Sequence, residues 1–175
     1  MKKAVLFDFD GTLCKSADTI REAYILAGAP EDLAHDTDVL RQTWLEWLVP
    51  AVGREEGEAI WHRKNKIYAR LLRDAPMHEE NLRVARRLDE EGYLCGILTG
   101  APLEADRVLR TSPHLTWARL LLVQCTPAFK IQVMRTLGPG GVYVDDQWDI
   151  KDDVEKVGWR FAHANSGMIE LLARR

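Results

Sequence analysis

Apolar and polar positions change rhythm along the chain. Ala4-Val5-Leu6-Phe7 is an unbroken apolar run that stops at Asp8, which reads as a buried strand, since carboxylates are disfavoured inside one. From residue 15 to 76 the apolar positions recur at helical spacing, and no strand signal appears. One helix, capped by Ser16 or Asp18, carries Ile20, Tyr24, Ile25 and Leu26 and closes at Gly28 and Pro30. A second opens at Asp36 or Thr37, carries Val39, Leu40, Trp44, Leu45 and Leu48, and ends at Pro50. A third, over about 54–73, presents Ile60, Trp61, Ile67, Tyr68, Leu71 and Leu72 on one face and is closed by Pro76.

After residue 76 helix and strand alternate. The pattern predicts a helix over 79–91 with Leu82, Val84, Ala85 and Leu88 inward, a strand over 93–98, and a helix over about 103–110. A short strand near 120–123 and a helix over about 129–137 follow. The chain then turns at Gly138-Pro139-Gly140-Gly141, which lacks the Lys-Ser/Thr of a phosphate loop. A strand at 142–144, a helix over 150–157, a strand at 159–162 and a helix around 166–173 complete the series. Alternation of this kind implies a mainly parallel, five-stranded sheet with helices on both faces, a Rossmann-like three-layer α/β sandwich. The expected organisation is a core of residues 1–14 and 77–175, interrupted by an all-helical insert at 15–76.

Composition narrows the picture modestly. With 46% hydrophobic and 29% charged residues, the chain can build an ordinary globular core. Its net charge of −3 offers no general attraction to nucleic acid or to an anionic membrane, so neither is an expected partner. No apolar stretch approaches a membrane span, and Asp8 and Asp10 interrupt the first run too early for a signal peptide. The odd, widely spaced Cys14, Cys95 and Cys125 form no CxxC pair, which suits reduced thiols and a cytoplasmic location. Cys14, close to the acidic pair, is expected to be a small buried hydrophobe.

The polar residues at strand ends are where chemistry is expected. Strand one ends in Asp8 and Asp10, strand two in Thr99, and Lys130 opens the helix after strand three. Strand four ends in Asp145 and Asp146, with Asp149 a turn later. In a parallel sheet these carboxyl ends lie side by side, where ligands bind. Clustered carboxylates suit Mg²⁺, which prefers hard oxygen ligands, and a hydroxyl with an ammonium can bind a phosphoryl group. One carboxylate can attack phosphorus while another moves the proton.

The arrangement resembles the haloacid dehalogenase superfamily of phosphohydrolases. Asp8-Phe9-Asp10-Gly11-Thr12-Leu13 matches that family's first motif at every position. Leu98-Thr99-Gly100 looks like the second, Lys130 like the third, and Val144-Asp145-Asp146-Gln147-Trp148-Asp149 like the fourth. By that resemblance Asp8 is the nucleophile and a Mg²⁺ ligand, and Asp10 is the general acid/base that lends its backbone carbonyl to the metal. Thr99, Gly100 and Lys130 bind the phosphoryl group, and Asp145 binds the metal. Of the remaining acids, Asp149 has the family's commoner spacing from Asp145 and is preferred over Asp146 as the supporting carboxylate. The fourth motif here has Val144 where many members have glycine, and Ile131 follows Lys130 where many have proline. The family's sheet order places strand one centrally, with strands two and four beside it. Its dehalogenase members lack the second Asp of the first motif, so Asp10 favours phosphoryl chemistry. The implied activity is Mg²⁺-dependent hydrolysis of a small phosphorylated metabolite through an aspartyl-phosphate. The 15–76 insert resembles the family's helical cap, which closes over the cleft, excludes water and selects the leaving group.

Bland readings stand beside these. Asp8 and Asp10 can be turn acids, Thr99, Asp146 and Asp149 helix caps, and Lys130 a solvated lysine. Trp44, Trp47 and Trp61 are expected in the insert's core, and the basic run from His62 to Lys66 on a solvated face. Two other functions compete: a phosphotransferase or mutase using the same residues, and a non-catalytic phosphate-binding or signalling module. Receiver domains combine similar residues, but there the acid pair comes first, whereas Asp145-Asp146 comes last here. Nothing in the insert encodes a nucleotide, a sugar phosphate or a phosphoglycolate-like acid, or sets the oligomeric state.

Overall fold

The computed structural model describes residues 3–36 and 42–164. By its internal contacts the chain divides into two compact units, Met1–Lys15 with Pro76–Arg175, and Ser16–Ala75. The first unit is an α/β sandwich built on a five-stranded sheet of order β3-β2-β1-β4-β5. Its strands are β1 (Ala4–Phe7), β2 (Leu94–Leu98), β3 (Leu120–Leu122), β4 (Val142–Asp145) and β5 (Arg160–His163), and every pairing is parallel. β1 is central, with Val5 opposite Cys95 on one side and Val142 on the other. All of its residues are buried, which explains why its sequence is continuously apolar rather than alternating.

Strand parity sorts the core. Leu6, Tyr143 and Phe161 face one side, where they pack with Ile131, Met134, Ile150 and Val154. Phe7 meets Trp117 edge-on, with ring centroids 5.5 Å apart. Gly96 leaves no room for a side chain between the residues of β1 and β3 beside it, because a Cβ there would sit 2.9 Å from both Leu120 Cβ and Leu6 Cδ2. Gly141 is confined in the same way by the Trp159 ring, whose indole nitrogen donates to Gly138 O at 2.7 Å and to Met134 O at 3.1 Å.

The second unit is helical: α1 (Ala17–Leu26), α2 (Glu31–Ala34), α3 (Trp44–Val52), α4 (Arg54–Leu71) and a 3₁₀ turn at Leu72–Asp74. Tyr24, Trp47, Leu48 and Ile60 form its core, with Tyr24 and Trp47 edge to face at 4.9 Å. Trp44 stacks on Trp61 at 5.6 Å, so the two tryptophans of α3 have separate aromatic partners. Two local expectations change. Pro50 lies inside α3, which continues to Val52 and is stopped by Gly53 at φ 84°. The Thr43 N–H donates to the Glu46 carboxylate at 2.8 Å, so α3 begins after Thr43; of the expected starts, Asp36 lies in no helix and Thr37 lies outside the described residues. The helix expected at 166–173 also lies outside them.

The remaining helices belong to the sandwich: α5 (Glu79–Glu90), α6 (Asp106–Thr111), α7 (Pro127–Leu137) and α8 (Lys151–Lys156). The helix expected over 103–110 is a 3₁₀ turn at Leu103–Ala105 leading into α6. Gly96→Ala should lower unfolding free energy by about 1–3 kcal/mol, since the neighbours that must give include the Leu120 carbonyl oxygen at 3.1 Å. Urea denaturation measures this directly.

Candidate active site

β1 delivers Asp8 to the carboxyl edge of the sheet. The Asp8 N–H donates to Val144 O at 2.8 Å, extending the β1–β4 pairing by one residue. The chain then folds sharply, with the amides of Leu13 and Cys14 both donating to Phe9 O at 2.9 Å. Gly11 makes this possible in two ways. Its φ is 77°, which favours glycine, and a Cβ there would overlap the Asp146 carboxylate. Asn81 of α5 locks the same loop by donating to Thr12 O at 2.7 Å, wholly inside the protein. Returning chain at 76–78 pairs with the outgoing segment, with Lys15 N–H donating to Pro76 O and His78 N–H to Leu13 O, both at 2.8 Å.

Lys130 is presented by the first turn of α7. Thr126 caps that helix by accepting from Phe129 N–H at 3.2 Å, and Pro127 occupies its start. The Lys130 side chain runs inward and is buried. Its Nζ donates to Asp8 Oδ1 at 2.7 Å and to Asp145 Oδ2 at 3.4 Å. Asp145, at the end of β4, also accepts from the Tyr143 hydroxyl through Oδ2 at 2.8 Å and from Gln147 N–H through Oδ1 at 3.0 Å.

Asp8, Asp145 and Asp146 each offer an oxygen, and these oxygens lie within 4.8 Å of one another. The donor set is all carboxylate, with no sulfur or imidazole, which fits a hard cation such as Mg²⁺. Asp146 supplies the third carboxylate. Asp149, preferred on spacing, is exposed and stands outside this group. Adjacency explains the difference: Asp146 leaves the strand end directly toward Gly11, while Asp149 lies in the turn before α8.

Asp10 is half-buried, two residues past Asp8, and its charge is felt there. Thr99 is fully buried at the end of β2, one residue beyond the level of Asp8 in the parallel register. Its hydroxyl accepts from Ala101 N–H at 3.0 Å, its amide donates to Leu122 O, and its carbonyl accepts from Cys125 N–H at 2.8 Å. The helix-cap reading of Thr99 therefore has some basis, although the bond closes a turn ahead of the 3₁₀ segment. Gly100 is exposed beside it.

Burial pushes the Asp8 carboxyl up to about 8, and the nearby Asp145 and Asp10 charges add to the rise against the pull of Lys130. Burial works to lower the Lys130 ammonium, but Asp8 and Asp145 outweigh it, so it is held above its ordinary value. Burial, reinforced by the same two carboxylates, keeps the Tyr143 phenol protonated and hence a donor. Cys14 is buried with its thiol pushed up to about 12 by burial, as expected of a small buried hydrophobe.

Several site residues carried no signal in the sequence. Tyr143 looked like one more strand residue, and Asn81 like a helix residue. His163, at the end of β5, brings a ring nitrogen 2.9 Å from Asp146 O and stacks on Trp148 with centroids 4.7 Å apart.

A family model described as haloacid dehalogenase-like hydrolase matches residues 2–147. The chain belongs to that family. No curated protein matches it. Among solved structures, a haloacid dehalogenase-like hydrolase from Streptococcus pneumoniae is similar at TM-score 0.72 and 13% identity, covering 91% of this chain and 83% of that one. A predicted phosphoglycolate phosphatase from Haemophilus somnus is similar at TM-score 0.67 and 16% identity, covering 94% and 88%. CbbY from Rhodobacter sphaeroides, solved in complex with phosphate, is similar at TM-score 0.67 and 16% identity, covering 93% and 86%. These likenesses establish the fold. Among the described residues, no helix is long and apolar enough to cross a membrane.

The raised Asp8 carboxyl gives a pH dependence of defined sign. With its carboxyl pushed up to about 8 by burial, Asp8 is biased toward its protonated form at neutral pH, so a cation that it ligates would compete with a proton. Mg²⁺ affinity should fall as pH drops, approaching tenfold per pH unit, and about one proton should leave per ion near pH 7. Calorimetry in buffers of different ionisation enthalpy counts those protons, and the count should fall toward zero by about pH 9.

Proposed function

We propose that this hydrolase is a Mg²⁺-dependent phosphomonoesterase that acts on a small phosphorylated metabolite through an aspartyl-phosphate. The observation that carries the reading is the buried ammonium of Lys130, 2.7 Å from Asp8, beside a compact group of three carboxylates. An isolated carboxylate cluster is only a set of acids. One with a buried cation aimed at the nucleophile is prepared for a doubly charged phosphoryl group. Asp10 adds the second acid that dehalogenase members of the family lack.

In this reading Asp8, the backbone carbonyl of Asp10, and Asp145 with Asp146 hold the metal. Bound Mg²⁺ supplies charge neutralisation for the phosphoryl oxygens and for the crowded carboxylates. Asp8 attacks phosphorus with its free oxygen lone pair, forming an acyl phosphate as the bond to the leaving oxygen breaks. Asp10 gives its proton to that oxygen. It then takes a proton from water as the water oxygen attacks phosphorus, releasing phosphate and restoring the Asp8 carboxylate. Lys130 and the Thr99–Gly100 segment hold the non-bridging oxygens throughout.

Phosphate release from an aryl phosphate tests the reaction class. It should require Mg²⁺ and stop with chelator. Asp8→Asn should abolish it, and Asp10→Asn should lower kcat by about 10²–10⁴-fold, the usual range for a lost general acid/base. Activity surviving both Asp8→Asn and metal removal would contradict the mechanism. A screen of nucleotides, sugar phosphates and phosphoglycolate, the last suggested by the name of one structural relative, then ranks substrates by kcat/KM.

A further inference from the structure

Side chains alternate across a strand, so Tyr143 and Asp145 share one face of β4. The tyrosine runs along that face toward the carboxyl end, fully buried, and its hydroxyl reaches Asp145 Oδ2 at 2.8 Å. The same oxygen accepts from Lys130 Nζ at 3.4 Å, and the Lys130 ammonium lies 5.4 Å from the Tyr143 ring centroid. Tyr143 therefore touches both charged partners: the carboxylate with its hydroxyl and the ammonium with its ring face. Lys130 meanwhile makes its short contact, 2.7 Å, with Asp8.

We infer that Tyr143 is a positioning residue, whose hydroxyl fixes the rotation of Asp145 and occupies Oδ2 so that Lys130 is directed to Asp8. The inference rests on the Mg²⁺-phosphatase reading above and deepens it. Gln147 N–H holds one oxygen of Asp145 and Tyr143 holds the other, so the carboxylate plane is pinned from both ends. Loss of the hydroxyl leaves Lys130 as the donor at Oδ2. The ammonium is then drawn toward Asp145 and away from Asp8, and the carboxylate is free to turn. Two effects follow from one atom: the metal group loses a fixed ligand, and the nucleophile loses part of its cation. A simple core tyrosine would satisfy its hydroxyl in the same place without either consequence.

Tyr143→Phe separates these alternatives. The ring keeps its packing against Leu6, Ile131 and Met134 and its face toward Lys130, so only the hydroxyl is removed. Calorimetric titration with MgCl₂ alone should show a dissociation constant at least about tenfold above wild type, the usual scale for a lost outer-shell partner. At saturating Mg²⁺, aryl phosphate hydrolysis should show kcat reduced by about tenfold with KM within about twofold, and circular dichroism should be unchanged. A Mg²⁺ dissociation constant and kcat both within about twofold of wild type would overturn the inference while leaving the phosphatase reading intact. A wild-type protein that neither binds Mg²⁺ nor cleaves the ester would overturn both.

Discussion

Everything at this site depends on one buried ammonium. The sheet brings Asp8 from β1 and Asp145 from β4 to the same edge, with Asp146 beside them. Such carboxylates in a desolvated setting repel, and their charged forms are disfavoured. Lys130 is the counter-charge among them, and it comes from α7, whose position is set by Ile131 and Met134 packing on the Tyr143 face. Buried ion pairs of this kind contribute little net stability, because desolvation offsets the attraction, yet removal of one partner costs about 3–5 kcal/mol. The sandwich thus carries an arrangement whose value lies in chemistry rather than in folding.

The surrounding structure reads as the means of holding that arrangement still. Gly11 lets the chain turn under the Asp146 carboxylate, and Asn81 ties the turn to α5. Thr126 and Pro127 set the start of α7 so that Lys130 falls on its inward side. Gly96 lets β1 and β3 pack against β2 without a side chain between them, and Gly141 leaves room for the Trp159 ring at the amino end of the sheet. None of these residues needs to touch a substrate.

Much of the fold was legible in the chain because buried parallel strands are short apolar runs and amphipathic helices have their own period. β1 and the helical stretch before α5 follow from those periods, whereas the central place of β1 in the strand order was implied only by the family resemblance. Asp8 and Asp145 were visible as polar residues at strand ends, and Lys130 at the start of the helix after strand three, and the structure brings them together. The finer choices were not visible, because they turn on side-chain contacts between elements. Asp146 rather than Asp149 joins the acidic group since it faces Gly11, a fact that spacing does not encode. Tyr143 and His163 were hidden for the same reason, as their partners lie on other elements or at the strand end. Pro50 was misleading because a proline late in a helix interrupts only one hydrogen bond, and α3 runs two residues past it.

In the proposed mechanism Asp8 becomes covalently phosphorylated during turnover. Rapid acid quench during hydrolysis of a good substrate, followed by proteolysis and mass spectrometry, tests it most directly. A phosphoryl group is expected on the peptide containing Asp8, formed only with Mg²⁺ present and accumulating in Asp10→Asn, where the second step is slowed. Turnover that proceeds with no phosphoryl group on that peptide, or with one on another residue, would contradict it.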